Sequence, residues 1–321
     1  MLFEPLVPWK IKCGPGYGMA TCLALNVLVT SDTSTNLLSV WDLKASFCTG
    51  PKLVCTLNGE FRFLDSGCLA FTKFFVGGTT QPLLLVSDAG NGALHVLDVV
   101  GRTRAGYIAG PGTEPDIGFV AASDTAPLVA IGRRLSPTVT LFRGTGAKWE
   151  QHRRIWLRTS SSPSGMRFTR EGTVCVTSYE GHTVSWVSLA GAAFPRPPNL
   201  DEACSMQHID CRYPMDVQEV GGKRLFLVAT KFGVKSVCCG AKSVCWGGVY
   251  SRSSYFYSDV EFTCPCTTLA VEPELGLAIR SSDGHVYMCM FSDTAVLWTM
   301  SDTRVSWMVA VFRAAGRRND C

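Results

Sequence analysis

The stretch PLLLVSDAGNGALHVLDV, residues 82–99, decides how the chain reads. Its first part, PLLLVSD, is nearly all apolar, as a strand buried on both faces should be. AGNG follows, and Asn91-Gly92 is a strong hairpin signal because both residues tolerate positive φ. ALHVLDV then alternates and returns antiparallel. On either side, CLAFT (68–72) reads as a short inner strand and AGYIA (105–109) as an outer one. Together they make four strands, the usual content of one propeller blade.

The same pattern recurs along the chain. Six stretches, each a strand ending in a small or polar pair, a tight turn and a second alternating strand, begin at Ser31, Ser87, Ile131, Thr177, Ala229 and Ser281. A supersecondary unit returning at roughly 40–50 residues is the signature of a β-propeller. The expectation is an all-β fold, one β-propeller domain over residues 1–321. Its six four-stranded blades fall near 18–60, 61–112, 113–160, 161–213, 214–262 and 263–313, with short N- and C-terminal tails. Residues 193–213 and 249–266 read as irregular, and a degenerate seventh blade in 191–213 stays open. The run 305–312 either completes the sixth blade, beside 295–300, or pairs with the first. In aligning the units, Asp32 and Asp88 correspond to Gly132, Ser178 and Thr230.

Composition narrows the classes. The 321 residues are 46% hydrophobic and only 17% charged, which suits strands buried on both faces and opposes wholesale disorder. A net charge of +4 gives no case for a nucleic-acid protein by composition, where a basic stripe is expected. The longest apolar runs fall far short of the roughly 20 residues of a membrane span. The opening MLFEPLVPWK lacks the basic end and apolar core of a signal peptide, so an intracellular, cytoplasmic location is expected. Fifteen cysteines are many. An odd number without an export signal opposes a complete disulfide framework; Cys22, Cys55, Cys68, Cys175 and Cys289 sit in apolar strand patterns as small hydrophobes.

With the repeat in view, residues 83–99 resemble the NHL-type repeat of six-bladed propellers, in which a strand ending in Asp meets an Asn-rich turn. TVTLFR (138–143) and HTVSWVSL (182–189) resemble its next strand. VWDL (40–43) is similar to the end of a WD-type repeat, but it occurs once and without the upstream Gly-His pair, so a WD40-like propeller ranks second. The likeness covers roughly residues 18–312. It departs at Arg133-Arg134 and Lys231-Phe232, which replace the Asn/Gly turn chemistry. The resemblance implies binding first: such propellers act as rigid platforms for proteins, and some NHL domains bind RNA. It also implies a minority alternative, the lyases and calcium-dependent lactonases among six-bladed propellers.

Candidate chemistry is thin. Cys264-Pro-Cys266, Cys238-Cys239, Cys204, Cys211, Cys245 and His208 lack the matched Cys-x₂₋₄-Cys pairs of a zinc site. Asp88 and Asn91, with Asp32, Asn36 and Asp283 in equivalent units, are oxygen ligands a hard cation would accept. Such aspartates equally cap turns through nearby backbone N–H groups, and that reading is favoured. His95, His182 and His285 recur as a repeat position. No nucleophile elbow or phosphate loop occurs, so no catalytic residue, metal or cofactor is assigned. One cluster mixes cations with aromatics: Arg133, Arg134, Arg143, Lys148, Arg153, Arg154 and Arg158 around Trp149 and Trp156. Of these, Arg133, Arg134, Lys148, Trp149, Arg153, Arg154 and Trp156 are the candidate binding residues. They could stack bases and hold phosphates or lie as solvated charge on an outer edge. The expected function is a non-enzymatic scaffold, a monomer with protein partners. A lactonase-like or lyase-like enzyme and an RNA-binding propeller are the alternatives.

Overall fold

The computed structural model describes residues 9–44, 51–64, 67–74, 81–145, 148–157, 161–170, 172–188, 206–220, 225–231, 233–238, 256–261, 266–272, 276–281 and 285–289. All regular elements among them are β-strands. No helix of the described residues is long and apolar enough to cross a membrane.

The strands form six four-stranded antiparallel sheets, arranged as a β-propeller. After β1 (Trp9–Lys12), the first sheet takes β2 (Met19–Cys22), β3 (Val27–Asp32), β4 (Leu37–Asp42) and β5 (Lys52–Leu57). The second takes β6 (Leu69–Thr72), β7 (Leu83–Asp88), β8 (Ala93–Asp98) and β9 (Thr103–Ala109). The third has β10 (Ile117–Ala122), β11 (Leu128–Arg133), β12 (Thr138–Gly144) and β13 (Trp149–Trp156). The fourth has β14 (Gly165–Phe168), β15 (Thr173–Ser178), β16 (Thr183–Ser188) and β17 (Met206–Asp210). The fifth has β18 (Pro214–Val220), β19 (Leu225–Thr230), β20 (Gly233–Cys238) and β21 (Phe256–Glu261). The sixth is built from β22 (Cys266–Glu272), β23 (Gly276–Ser281), β24 (His285–Cys289) and, as its fourth strand, β1. The innermost strands β2, β6, β10, β14, β18 and β22 each touch the next, and β22 touches β2.

Three outer strands differ from the sequence reading. Met206–Asp210 and Phe256–Glu261 are strands inside stretches that read as irregular, because an outer strand lies at the rim, where alternation fades. Trp9–Lys12 pairs with β24, so the sixth sheet draws its outer strand from the start of the chain. The segments 295–300 and 305–312 lie outside the described residues.

Packing explains why the repeat is visible. All six residues of β7 are buried. Leu84 and Val86 face the first sheet beside Val29, Val40 and Phe63, while Leu83 and Leu85 face the third beside Val129 and Ile131. The unalternating LLLV run therefore feeds two cores at once, each fully buried leucine contributing about 2 kcal/mol. Similar clusters fill the gaps between the third and fourth, fourth and fifth, and sixth and first sheets. No sheet could bury both faces without its neighbours. Cys22 and Cys175 are buried and Cys55 and Cys68 half-buried, all as thiols outside any disulfide.

Candidate functional site

Around the axis, the polar pair that ends the second strand of the first, second and fourth sheets does specific work. Its first member points inward. Ser87 donates to Cys68 O in its own sheet (3.1 Å) and to Gly118 O of the next (3.3 Å). Thr177 bonds Gly165 O and Met215 O in the same way, and the Ser31 hydroxyl bonds Gly18. The hydroxyl is thus a strap between neighbouring innermost strands. Gly132 and Ala229 take this place in the third and fifth sheets, opposite Phe119 and Asp216. There the innermost strand carries a bulge, as it also does in the sixth. The bulged residues Gly118 and Met215 present their carbonyls to Ser87 and Thr177 of the preceding sheets. A bulge frees a carbonyl from its own ladder, and the neighbour's hydroxyl satisfies it. Between the sixth sheet and the first, Thr267 donates to Gly16 O (3.4 Å).

The axial space, about 290 Å³ including its open ends, is lined by residues of all six sheets, among them Met19, Leu69, Val120, Met166, Asp216 and Thr268. Side chains fill it until room for about one water molecule remains. Its polar side is one network. Asp216, 4% exposed, accepts from Arg167 Nη2 (3.2 Å), from the Thr268 hydroxyl and from Leu269 N (3.1 Å). Arg167 also reaches Gln218 Oε1 and Leu269 O. Three sheets meet on one carboxylate, and the ion pair is tolerable in the interior because its remaining valences are filled. Sequence reasoning missed Arg167 and Asp216. The signal was Asp216, one of two carboxylates in the inner strand PMDVQEV.

The second member of each pair faces the turn. Asp88, fully buried, accepts from Arg62 N (3.0 Å) and Asn91 N (3.2 Å) through Oδ1, and from Asn91 Nδ2 (2.7 Å) and His95 Nε2 (2.9 Å) through Oδ2. Burial alone would raise its pKa. The hydrogen bonds from His95, Asn91 and Arg62 outweigh that and hold the carboxyl below its ordinary value. Asp32 bonds Ser34 and Thr35, and its pKa is likewise lowered against the opposing effect of burial. These aspartates cap turns, and Asp88 also clamps the segment joining the first and second sheets. Asn36 Oδ1 accepts from Phe63 N (2.9 Å) and His182 Nδ1 from Tyr213 N (3.2 Å). Both stand last in their turns with φ near +55°, so they are the same device; His182 belongs to the turn, while His95 lies within β8. His95 packs against Phe61 and Tyr107 with Nδ1 buried and unpartnered. Asp283 lies outside the described residues.

In the third sheet the register corrects the alignment by one residue: Arg133, last in β11 and opposite Ile117, holds the place of Asp88. Gly132 holds that of Ser87. Arg133 Nη2 bonds Glu114 Oε2; Arg154 Nη2 lies 3.9 Å from the other oxygen. Arg134 lays its alkyl chain over Gly118. Lys148 pairs with Glu150 (2.8 Å), which raises the ammonium pKa. Trp149 packs into the core between the second and third sheets. Arg153 is half-buried opposite Leu141, and Trp156, opposite Thr138, is 51% exposed. The predicted cluster therefore divides: Arg133 and Arg154 converge on Glu114, Trp149 is core, and Trp156 faces solvent. Arg158 lies outside the described residues, as do Cys204, Cys245 and Cys264.

Comparison with protein-family models gave no match, and comparison with curated proteins gave none either.

Proposed function

We propose that the chain is a non-enzymatic protein-interaction platform, a six-bladed propeller of NHL-like type whose surface loops and outer strands present the contacts. The observation that carries this reading is the filled axis. An enzyme of this architecture would gather its ligands there, and here Met19, Leu69, Val120, Met166 and the Arg167–Asp216 pair occupy the space. Asp32, Asn36, Asp88 and Asn91 spend their oxygens and amides on turns and sheet connections instead. What remains for function is a rigid ring with an exposed rim.

The test has two arms. Ester and lactone substrates with calcium are expected to give background turnover only. Affinity capture with reciprocal tagging is expected to return a protein that binds at fixed stoichiometry. Turnover above background that Asp216→Asn removes, with no reciprocal partner, would sink the proposal.

A further inference from the structure

Charge is unevenly placed around the ring. Residues 117–156, the third sheet, hold six Arg and Lys against two acidic residues, Asp124 and Glu150. That excess of four equals the net charge of the whole chain, and the remaining residues balance at 24 cationic and 24 acidic. Glu114, just before this span, takes up part of the excess through Arg133 and Arg154. The rest gathers where β12 meets the outer strand β13. Across β12 and β13, Arg153 stands opposite Leu141 and Arg143 opposite Glu150, and each of these arginines lies within electrostatic reach of His152, whose pKa is lowered by burial and then by both. At the turn end of the same edge, Leu135 is 81% and Trp156 51% exposed. β13 is last in its sheet, and its outer side meets no further strand of that sheet.

We infer that the β12–β13 edge, through Arg143, Arg153 and the exposed Leu135 and Trp156, docks an acidic polypeptide segment that carries an apolar residue. The inference rests on the platform reading and says where the platform works. Complementary charge supplies steering and register; Leu135 and Trp156 supply the apolar anchor that a polar rim needs. A protein segment fits better than a nucleic acid. Single-stranded nucleic acids need several rings on which successive bases stack, and of the two tryptophans on β13 one, Trp149, is spent on the core. An exposed leucine also has little to offer a phosphate.

Fluorescence anisotropy tests this with a labelled Glu-rich peptide bearing one Phe, its Gln-for-Glu counterpart, and oligouridylate. The wild-type chain is expected to bind the Glu-rich peptide and not the Gln form. The affinity should fall about tenfold or more in Arg143→Glu/Arg153→Glu, and several-fold in Trp156→Ala. It should also weaken steadily with added salt, a measurement on the wild-type chain that no folding defect can mimic. Lys52→Glu, on the outer strand of the first sheet, should leave it unchanged. Equal binding of the Gln peptide, an equal loss in Lys52→Glu, tighter binding of oligouridylate, or no peptide binding at all overturns the inference. If a captured partner still binds Arg143→Glu/Arg153→Glu undiminished, the location fails while the platform reading stands. Substrate turnover with no partner removes both.

Discussion

The hairpins of the second and third sheets occupy the same place in the repeat and solve the same problem with opposite charges. In the second, the carboxylate is on the hairpin: Asp88 accepts the N–H of Arg62 from the segment that enters the sheet. In the third, the carboxylate is on the entering segment: Glu114 accepts from Arg133 on the hairpin. The turns differ too. Asn36, Gly92 and His182 close their turns at φ +53° to +59°. The third turn ends in Pro137, whose ring holds φ near −65° and forbids that conformation. What the architecture fixes is a bond between hairpin and connector; which partner carries the charge is free. The second hairpin consequently lies buried and self-satisfied, and the third leaves cations near the rim.

The largest expected effect tests that difference in burial. Asp88→Ala takes the acceptor from the buried His95 Nε2 and from the part-buried Asn91 and Arg62 N–H groups and should cost about 3 kcal/mol. Arg133→Ala removes a half-buried guanidinium from the buried Glu114, but Arg154 remains 3.9 Å from the other oxygen of that carboxylate, and about 1 kcal/mol is expected. Urea denaturation compares them, and equal losses would erase the contrast. Next comes the strap: Ser87→Ala leaves Gly118 O short of a donor, while Cys68 O keeps the Ser87 N–H, and should cost about 1.5 kcal/mol. The third sheet already has Gly132 there, so Gly132→Ser should restore no comparable amount, both read from unfolding midpoints. Gly92→Ala should cost about 1 kcal/mol, since its φ is +59° and the new Cβ would come 3.2 Å from Glu114 O.

The smallest effect is in pH. The folded pKa of Asp88 lies below the ordinary 3.8, so the stability it contributes is complete above that value and fades as pH falls through the folded pKa. Asp88→Asn should flatten stability against pH over that acid range relative to wild type. Parallel curves for the two proteins would show that the carboxylate is not held as described.

Much of this was legible in the residues. Ser87-Asp88 and Asn91-Gly92 stand out because a strap, a cap and a left-handed turn each demand a particular small or polar residue at a fixed offset. The LLLV run announced burial on both faces. The candidate site was legible only as composition: the cluster of arginines and tryptophans was visible, but its division into a Glu114 pair, a core ring and an exposed rim was not. The one-residue slip between Gly132 and Arg133 has a local cause. Gly132 resembles a turn residue, and the bulge at Gly118 that sets the true register lies on another strand.

By itself, then, the sequence determined the repeating hairpin, its antiparallel pairing and the apolar faces that require neighbours, because all of these depend on residues within one unit. Only the tertiary structure decided that Trp9–Lys12 completes the sixth sheet, that Arg167, Asp216 and Thr268 from three sheets meet at the axis, and that the excess charge comes to rest on the third sheet's edge. The first two join residues far apart in the chain, brought together by the geometry of ring closure, which no single unit encodes; the third depends on the register of β13 on β12.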